Sequence, residues 1–205
     1  MTAHAECSMC NAVSPSDSGS VLAVYNTHLL ESSSFVVLPA VGSLHAGHVL
    51  VVSREHYPNL GSMPRAAIRE YVSLVDGVQA RLGGRLGGWL EAEHGATDGG
   101  DTGGACITHV HVNLIPNHSQ LVDMFRAQLA QKPVRHDLQD LSGELAPYIL
   151  LRTDSDVRLH EAVGVPSQLI RRRICQLNGR EDWDWGAFPQ LDVVESTIAM
   201  WRQRV

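Results

Sequence analysis

The sequence predicts an α+β fold built on an antiparallel sheet, and three observations carry that expectation. Short β-prone runs at Val21–Tyr25, Phe35–Leu38 and His48–Ser53 follow one another across brief polar breaks, which is the spacing of antiparallel strands. Met63–Leu82 places Ala66, Ala67, Tyr71, Leu74, Val75, Val78 and Leu82 at helical spacing. Neither the glycine pattern of a dinucleotide fold nor that of a P-loop occurs between the two.

The elements follow in order. Ser62 stands where it can cap the long helix, Pro64 suits its first turn, and Gly83-Gly84 is placed to end it. Trp89–Glu93 reads as a fourth strand, and Gly95–Gly104 as a glycine- and aspartate-rich loop of the kind that carries function. Ala105–Ile115 alternates with period two and closes at Pro116, predicting a fifth strand. Leu121, Met124, Phe125 and Leu129 put a second amphipathic helix over Ser119–Gln131, followed by a linker-like stretch at Pro133–Gly143. Tyr148–Arg152 and Val157–Ala162 flank the turn Asp154-Ser155-Asp156 as a hairpin. Ser167–Asn178, stopped by Gly179, and Val193–Arg204 read as helices. The order places residues 1–118 in one domain, with 119–205 an extension packed on it.

Composition narrows the function. The 205 residues are 44% hydrophobic and 19% charged, ordinary for a soluble globular chain. No apolar run reaches the ~18–20 residues of a membrane span, and no early segment has the form of a secretory signal. A net charge of −6 argues against a general nucleic-acid partner. Of sixteen basic residues only Lys132 is a lysine, so anions here meet arginine forks. Four cysteines are too few for a disulfide framework in a chain of this length. Cys7 and Cys10 form a CxxC pair, which in a reducing, cytoplasmic setting reads as metal or redox chemistry, or as two thiols near a terminus.

His109-Val110-His111-Val112-Asn113 holds the most chemistry. Alternate strand residues share a face, so His109, His111 and Asn113 project together while Val110 and Val112 turn to a core. Such a row can bind metal, relay protons or present a nitrogen nucleophile to phosphorus. Glu93-His94-Gly95 precedes the glycine-rich loop, where His94 can serve as leaving-group acid. Toward the C-terminus, Ser167 and Gln168 precede Arg171-Arg172-Arg173, a set of anion-binding groups or a solvated basic face. Trp183 and Trp185 read as packing anchors.

At three places the sequence resembles the histidine triad superfamily of nucleotide hydrolases and transferases. His109–Ile115 is similar to its alternating histidine signature, with Asn113 in the third slot. Gly47–Val52 followed by Glu55-His56 resembles its glycine-histidine strand, and Cys7 with Cys10 resembles the zinc knuckle of bacterial members. The resemblance implies His111 as the nucleophile that carries a nucleotidyl group, with Gly104, Ala105 and Cys106 holding the phosphate. It implies a structural zinc on Cys7, Cys10, His56 and His109, with His45 and His48 as rival ligands. It also implies a homodimer, a small-molecule nucleotide substrate, and a site approached by Gln168 and Arg172. Asn113 departs from the hydrolase pattern toward transferase branches that carry glutamine, since an amide donates but does not titrate near neutrality. Ala40 departs too, standing where relatives hold a ribose. The alternative is a zinc-stabilised nucleotide-binding or regulatory protein with little turnover.

Overall fold

The computed structural model describes residues 7–13, 27–86, 88–97, 107–116, 119–129, 137–154, 156–162 and 164–203. The predicted strand Val21–Tyr25 lies outside them. The described elements are α1 (Ser8–Val13), β1 (Leu30–Glu31), β2 (Phe35–Pro39), β3 (Val49–Ser53), α2 (Arg65–Leu86), β4 (Trp89–Gly95), β5 (His111–Pro116), α3 (Ser119–Gln128), β6 (Tyr148–Thr153), β7 (Asp156–Glu161), α4 (Leu169–Leu177) and α5 (Leu191–Arg202). The strands form one seven-stranded sheet in the order β1-β2-β3-β5-β4-β6-β7, and every pairing is antiparallel. The fold is therefore α+β, and the hairpin β6–β7 continues the sheet from β4.

Period-two alternation gives the sheet two apolar faces. Val37, Val49, Val51, Val112, Leu114 and Leu150 pack beneath α2, whose Ile68, Tyr71, Val75, Val78 and Leu82 meet them, with Trp201 of α5 in the same core. On the opposite face Leu90, Ala92, Ile115, Ile149 and Leu151 meet Leu121 and Phe125 of α3 and Ile170 and Ile174 of α4. Ala12 and Val13 of α1 cover Val36, Leu38 and Val52 on that second face. Burying such side chains stabilises by about 1.5–3 kcal/mol each. Among the described residues no helix is long and apolar enough to cross a membrane.

Several boundaries differ from the periodicity. α2 runs through Gly83 and Gly84 to Leu86, because a per-residue propensity near 1 kcal/mol yields to a long anchored helix. Ser62 does not cap it. Ser62 belongs to a 3-10 turn, Leu60–Ser62, capped by the Asn59 side chain, and the Pro64 carbonyl accepts the first α2 bonds from Ala67 and Ile68. β5 begins only at His111. Val110 instead donates to Tyr57 O at 2.8 Å and accepts from Ser53 N at 3.3 Å, and residues 105–106 lie outside the described set. α3 closes at Gln128, and the linker-like stretch contains a second 3-10 turn at Leu138–Leu141 with both leucines buried.

Two buried carboxylates sit under the centre of the sheet. Glu91 accepts from Tyr71 at 2.8 Å and pairs with Arg152 at 2.9 Å. Glu93 accepts from Tyr148 at 2.6 Å and Leu60 N at 2.8 Å, with no cation beside it among the described residues. Burial pushes the Glu93 carboxyl up to about 7, against the opposing pull of those two donors. A folded-state value above the unfolded one means the contribution is complete below pH ~4.5 and is lost as pH rises through ~7. Glu93→Gln should therefore gain stability relative to wild type between pH 4.5 and 8, by on the order of 3 kcal/mol. Parallel melting curves for the two proteins across that range would refute this.

The C-terminal segment clasps the β2–β3 loop. Gly42 N donates to Pro189 O at 2.6 Å and Gly47 N to Thr197 Oγ1 at 3.0 Å. Gly42 has φ +73°, and a Cβ there would fall 1.9 Å from Arg171 Nη1 and 2.6 Å from Trp185 Cβ. Gly42→Ala should cost about 2–4 kcal/mol through left-handed strain and overpacking, read as a lowered denaturant midpoint; an unchanged midpoint would show that the clasp gives way freely.

Candidate functional site

α1 and the ends of two strands build a cluster of soft donors. Cys7 precedes α1 and Cys10 lies on it, His56 follows β3, and His109 stands two residues before β5. One donor atom from each lies within 4.8 Å of all the others. Cys10 Sγ is 3.3 Å from His56 Nδ1 and 3.4 Å from His109 Nδ1, and Cys7 Sγ is 3.5 Å from His109 Nδ1. A sulfur and a nitrogen on one tetrahedral zinc stand about 3.6 Å apart, given bonds of ~2.3 and ~2.0 Å. His109 Nε2 lies 2.8 Å from Ser53 O. A carbonyl only accepts, so Nε2 carries the proton and Nδ1 is the bare nitrogen turned to the sulfurs.

Burial and the neighbouring Cys7 push the Cys10 thiol up to about 11, and metals bind thiolates, so metal uptake at this pair would release protons. By donor type and mutual closeness the four residues could hold a metal ion. Two sulfurs and two imidazoles suit zinc in a closed, structural site. The rival ligands are placed elsewhere: His48 meets Asn113, and His45 lies near Arg180.

His111 opens β5. Its Nδ1 is 2.7 Å from the backbone oxygen of His109, so Nδ1 donates and Nε2 is left without a proton. Burial lowers the His111 pKa, and the bond to His109 O raises it by less. The two influences together favour the neutral imidazole, the form a nucleophile needs. One peptide therefore serves both centres: the His109 ring faces the sulfurs and the His109 carbonyl orients His111.

His111 pairs in register with Val52 near the end of β3, and the other residues of the site come from β4 and from His48, just before β3. Ala92↔Asn113 is the last register pair of β4 with β5. His94 is two residues beyond Ala92 and His111 two before Asn113, so both lie past the end of that ladder and on its second face. His94 is 7% exposed, on the strand flanked by β5 and β6. Asn113 Nδ2 donates to Ala92 O at 3.1 Å, and Asn113 Oδ1 lies 3.1 Å from His48 Nε2. His48 Nδ1 faces Ser43 Oγ at 3.1 Å.

The predicted phosphate segment, Gly104, Ala105 and Cys106, lies outside the described residues. Gln168 is the left-handed residue before α4, not Ser167 as a cap; its Nε2 donates to Asp184 Oδ1 at 3.3 Å and its Oε1 accepts from Trp185 N at 3.2 Å. Arg172 donates to Ser167 O at 2.9 Å, and its guanidinium stacks 3.3 Å above the Trp183 ring. Both side chains thus hold the C-terminal segment to α4. Sequence reasoning missed Ser53, whose carbonyl selects the His109 tautomer, and Ser43, which meets His48. Nothing in their spacing marks them.

Fold and site together define an α+β protein whose sheet carries a histidine–asparagine site backed by a candidate metal centre. Compared with known proteins, no family model matches the chain and no curated protein does. Among solved structures it is similar to a hypothetical histidine triad nucleotide-binding protein from Sulfolobus tokodaii strain 7, at 18% identity over 55% of this chain and 70% of that one, with a TM-score of 0.39. It is also similar to a structure described as "Hit Like Protein", at 16% identity over 45% and 86% of the two chains, TM-score 0.35.

Proposed function

We propose that the protein cleaves or transfers at the α-phosphate of a nucleotide conjugate through a nucleotidyl group carried on His111. The observation that supports this most is the 2.7 Å bond from His111 Nδ1 to His109 O, which leaves Nε2 as a bare, oriented nucleophile. In the first step the Nε2 lone pair attacks phosphorus and a P–N bond forms. The bond to the leaving oxygen breaks, and that oxygen takes its electron pair and a proton from His94 acting as general acid. In the second step the oxygen of water or of a second metabolite attacks phosphorus. The P–N bond breaks, its electrons return to Nε2, and His94 takes the proton of the attacking hydroxyl.

Zinc, held by Cys7, Cys10, His56 and His109, would supply rigidity and no reacting oxygen. In this reading the histidine-bearing elements of 1–118 do the chemistry, 119–205 extends the sheet and braces the β2–β3 loop, and the working form is a cytoplasmic homodimer. Rapid-quench intact mass spectrometry, without acid, against nucleoside triphosphates, dinucleoside polyphosphates, nucleotide sugars and nucleoside phosphoramidates tests the reading. A nucleoside-monophosphate adduct on wild type and not on His111→Ala is expected. Neither adduct nor product across the panel would overturn it in favour of a nucleotide-binding or regulatory protein.

A further inference from the structure

Asn113 sits in the third alternate position of the His109–Asn113 run, where an amide is placed to donate to a phosphoryl oxygen. Its surroundings give it other work. The Ala92 carbonyl has no proton, so the nitrogen of the Asn113 amide must face it, at 3.1 Å. The amide oxygen then faces His48 Nε2, also at 3.1 Å, and that nitrogen must be the protonated one. His48 is 3% exposed and Ser43 2%. Ser43 Oγ lies 3.1 Å from His48 Nδ1, accepts from His45 N at 3.1 Å and donates to His45 O at 2.8 Å. A chain of polar contacts therefore runs from the β2–β3 loop through His48 and Asn113 to the backbone of β4.

Its position in the sheet gives that chain a consequence. Asn113 pairs in register with Leu50 on β3 and with Ala92 on β4. The Ala92 pair is the final rung of the β4–β5 ladder, and the Asn113 side chain binds the Ala92 carbonyl at that rung. Immediately past it stand His94 and His111. We propose that His48 and Asn113 form a clamp that fixes where β4 and β5 part, and so sets the separation of His94 from His111; Asn113 is a positioning residue and not a phosphate ligand. This rests on the nucleotidyl-transfer reading for the roles of the two histidines, but not for the clamp itself.

Imidazole and side-chain amide ¹⁵N NMR separates the possibilities. In the protein alone, His48 should carry its proton on Nε2, and Asn113→Ala should shift that resonance and lose its protection from exchange. Asn113→Asp, which keeps an acceptor toward His48, should retain protection and so controls for misfolding. On titration with AMP, the His111 resonances should move and the Asn113 amide should stay still. An Asn113 amide that moves with His111 would overturn the clamp in favour of phosphate contact. So would a His48 protonated on Nδ1 alone, or one indifferent to Asn113→Ala. If AMP moves neither residue, the nucleotide reading fails while the His48 results still decide the clamp. In turnover, Asn113→Ala should lower kcat about 10²-fold, the effect of a ~1 Å misplacement, with KM little changed.

Discussion

His111→Ala should lower turnover by about 10⁴-fold or more and abolish the covalent adduct, because it removes the only group assigned to bond with phosphorus. Losses near 10⁶ in kcat accompany removal of a nucleophile elsewhere, with residual rate from binding and charge stabilisation. The fold should survive. His111 is half-buried at the end of a ladder, and among the described residues its ring bonds to His109 O at 2.7 Å. A melting temperature within a few degrees of wild type, together with lost activity, is the expected pair of results. Activity retained in His111→Ala would move the chemistry to another group, such as His94. His94→Gln should be milder, about 10²–10⁴-fold, and milder still for substrates whose leaving group needs no proton.

The second large effect is on the metal cluster. The double variant Cys7→Ser, Cys10→Ser should lose bound zinc outright, measured as metal per chain by plasma mass spectrometry. Structural zinc contributes apparent binding energies of about 10–16 kcal/mol in small peptide sites. A chain with its own sheet core should lose only part of that. The cluster joins α1 to the ends of β3 and β5, so α1 should detach and uncover Val36, Leu38 and Val52. Chelator should act on wild type in the same way, and zinc should reverse it. Because the His109 peptide orients His111, metal loss should also lower kcat without altering the mass of the adduct. A double variant with a full equivalent of zinc would dismiss the cluster as a metal site.

Much of the architecture was legible because it rests on burial with a fixed period. β2, β3, β4, β6, β7 and α2 follow from alternate or helical spacing of apolar residues, and the gathering of Cys7 and Cys10 with His56 and His109 from donor type. The entry to β5 was not legible. His109 and Val110 alternate like a strand, but the Val110 backbone bonds to Ser53 and Tyr57, and the His109 carbonyl takes the His111 ring. β1, with two residues, carries no periodic signal. The role of Asn113 was hidden for a different reason. Its partner His48 is 65 residues away, and no spacing rule joins residues that meet only through strand register. For Gln168 and Arg172 the structure adds neighbours that spacing does not give: Asp184 and Trp185 beside the first and Trp183 beneath the second.

The strand order 3-5-4 has a consequence for how the molecule is assembled. When the chain has been made as far as Gly95, β3 and β4 both exist, yet each lacks its neighbour, since β5 must be inserted between them. Two open edges then wait for a segment about sixteen residues downstream, at a stage when exposed edges invite mispairing. The segment that fills the gap is the one bearing His109, His111 and Asn113. Inserting β5 and forming the candidate site are one event, so a chain that lacks β5 holds neither the oriented His111 ring nor the fourth donor of the Cys7, Cys10, His56 and His109 cluster. Bound metal during synthesis should therefore appear only in chains long enough to have released His109.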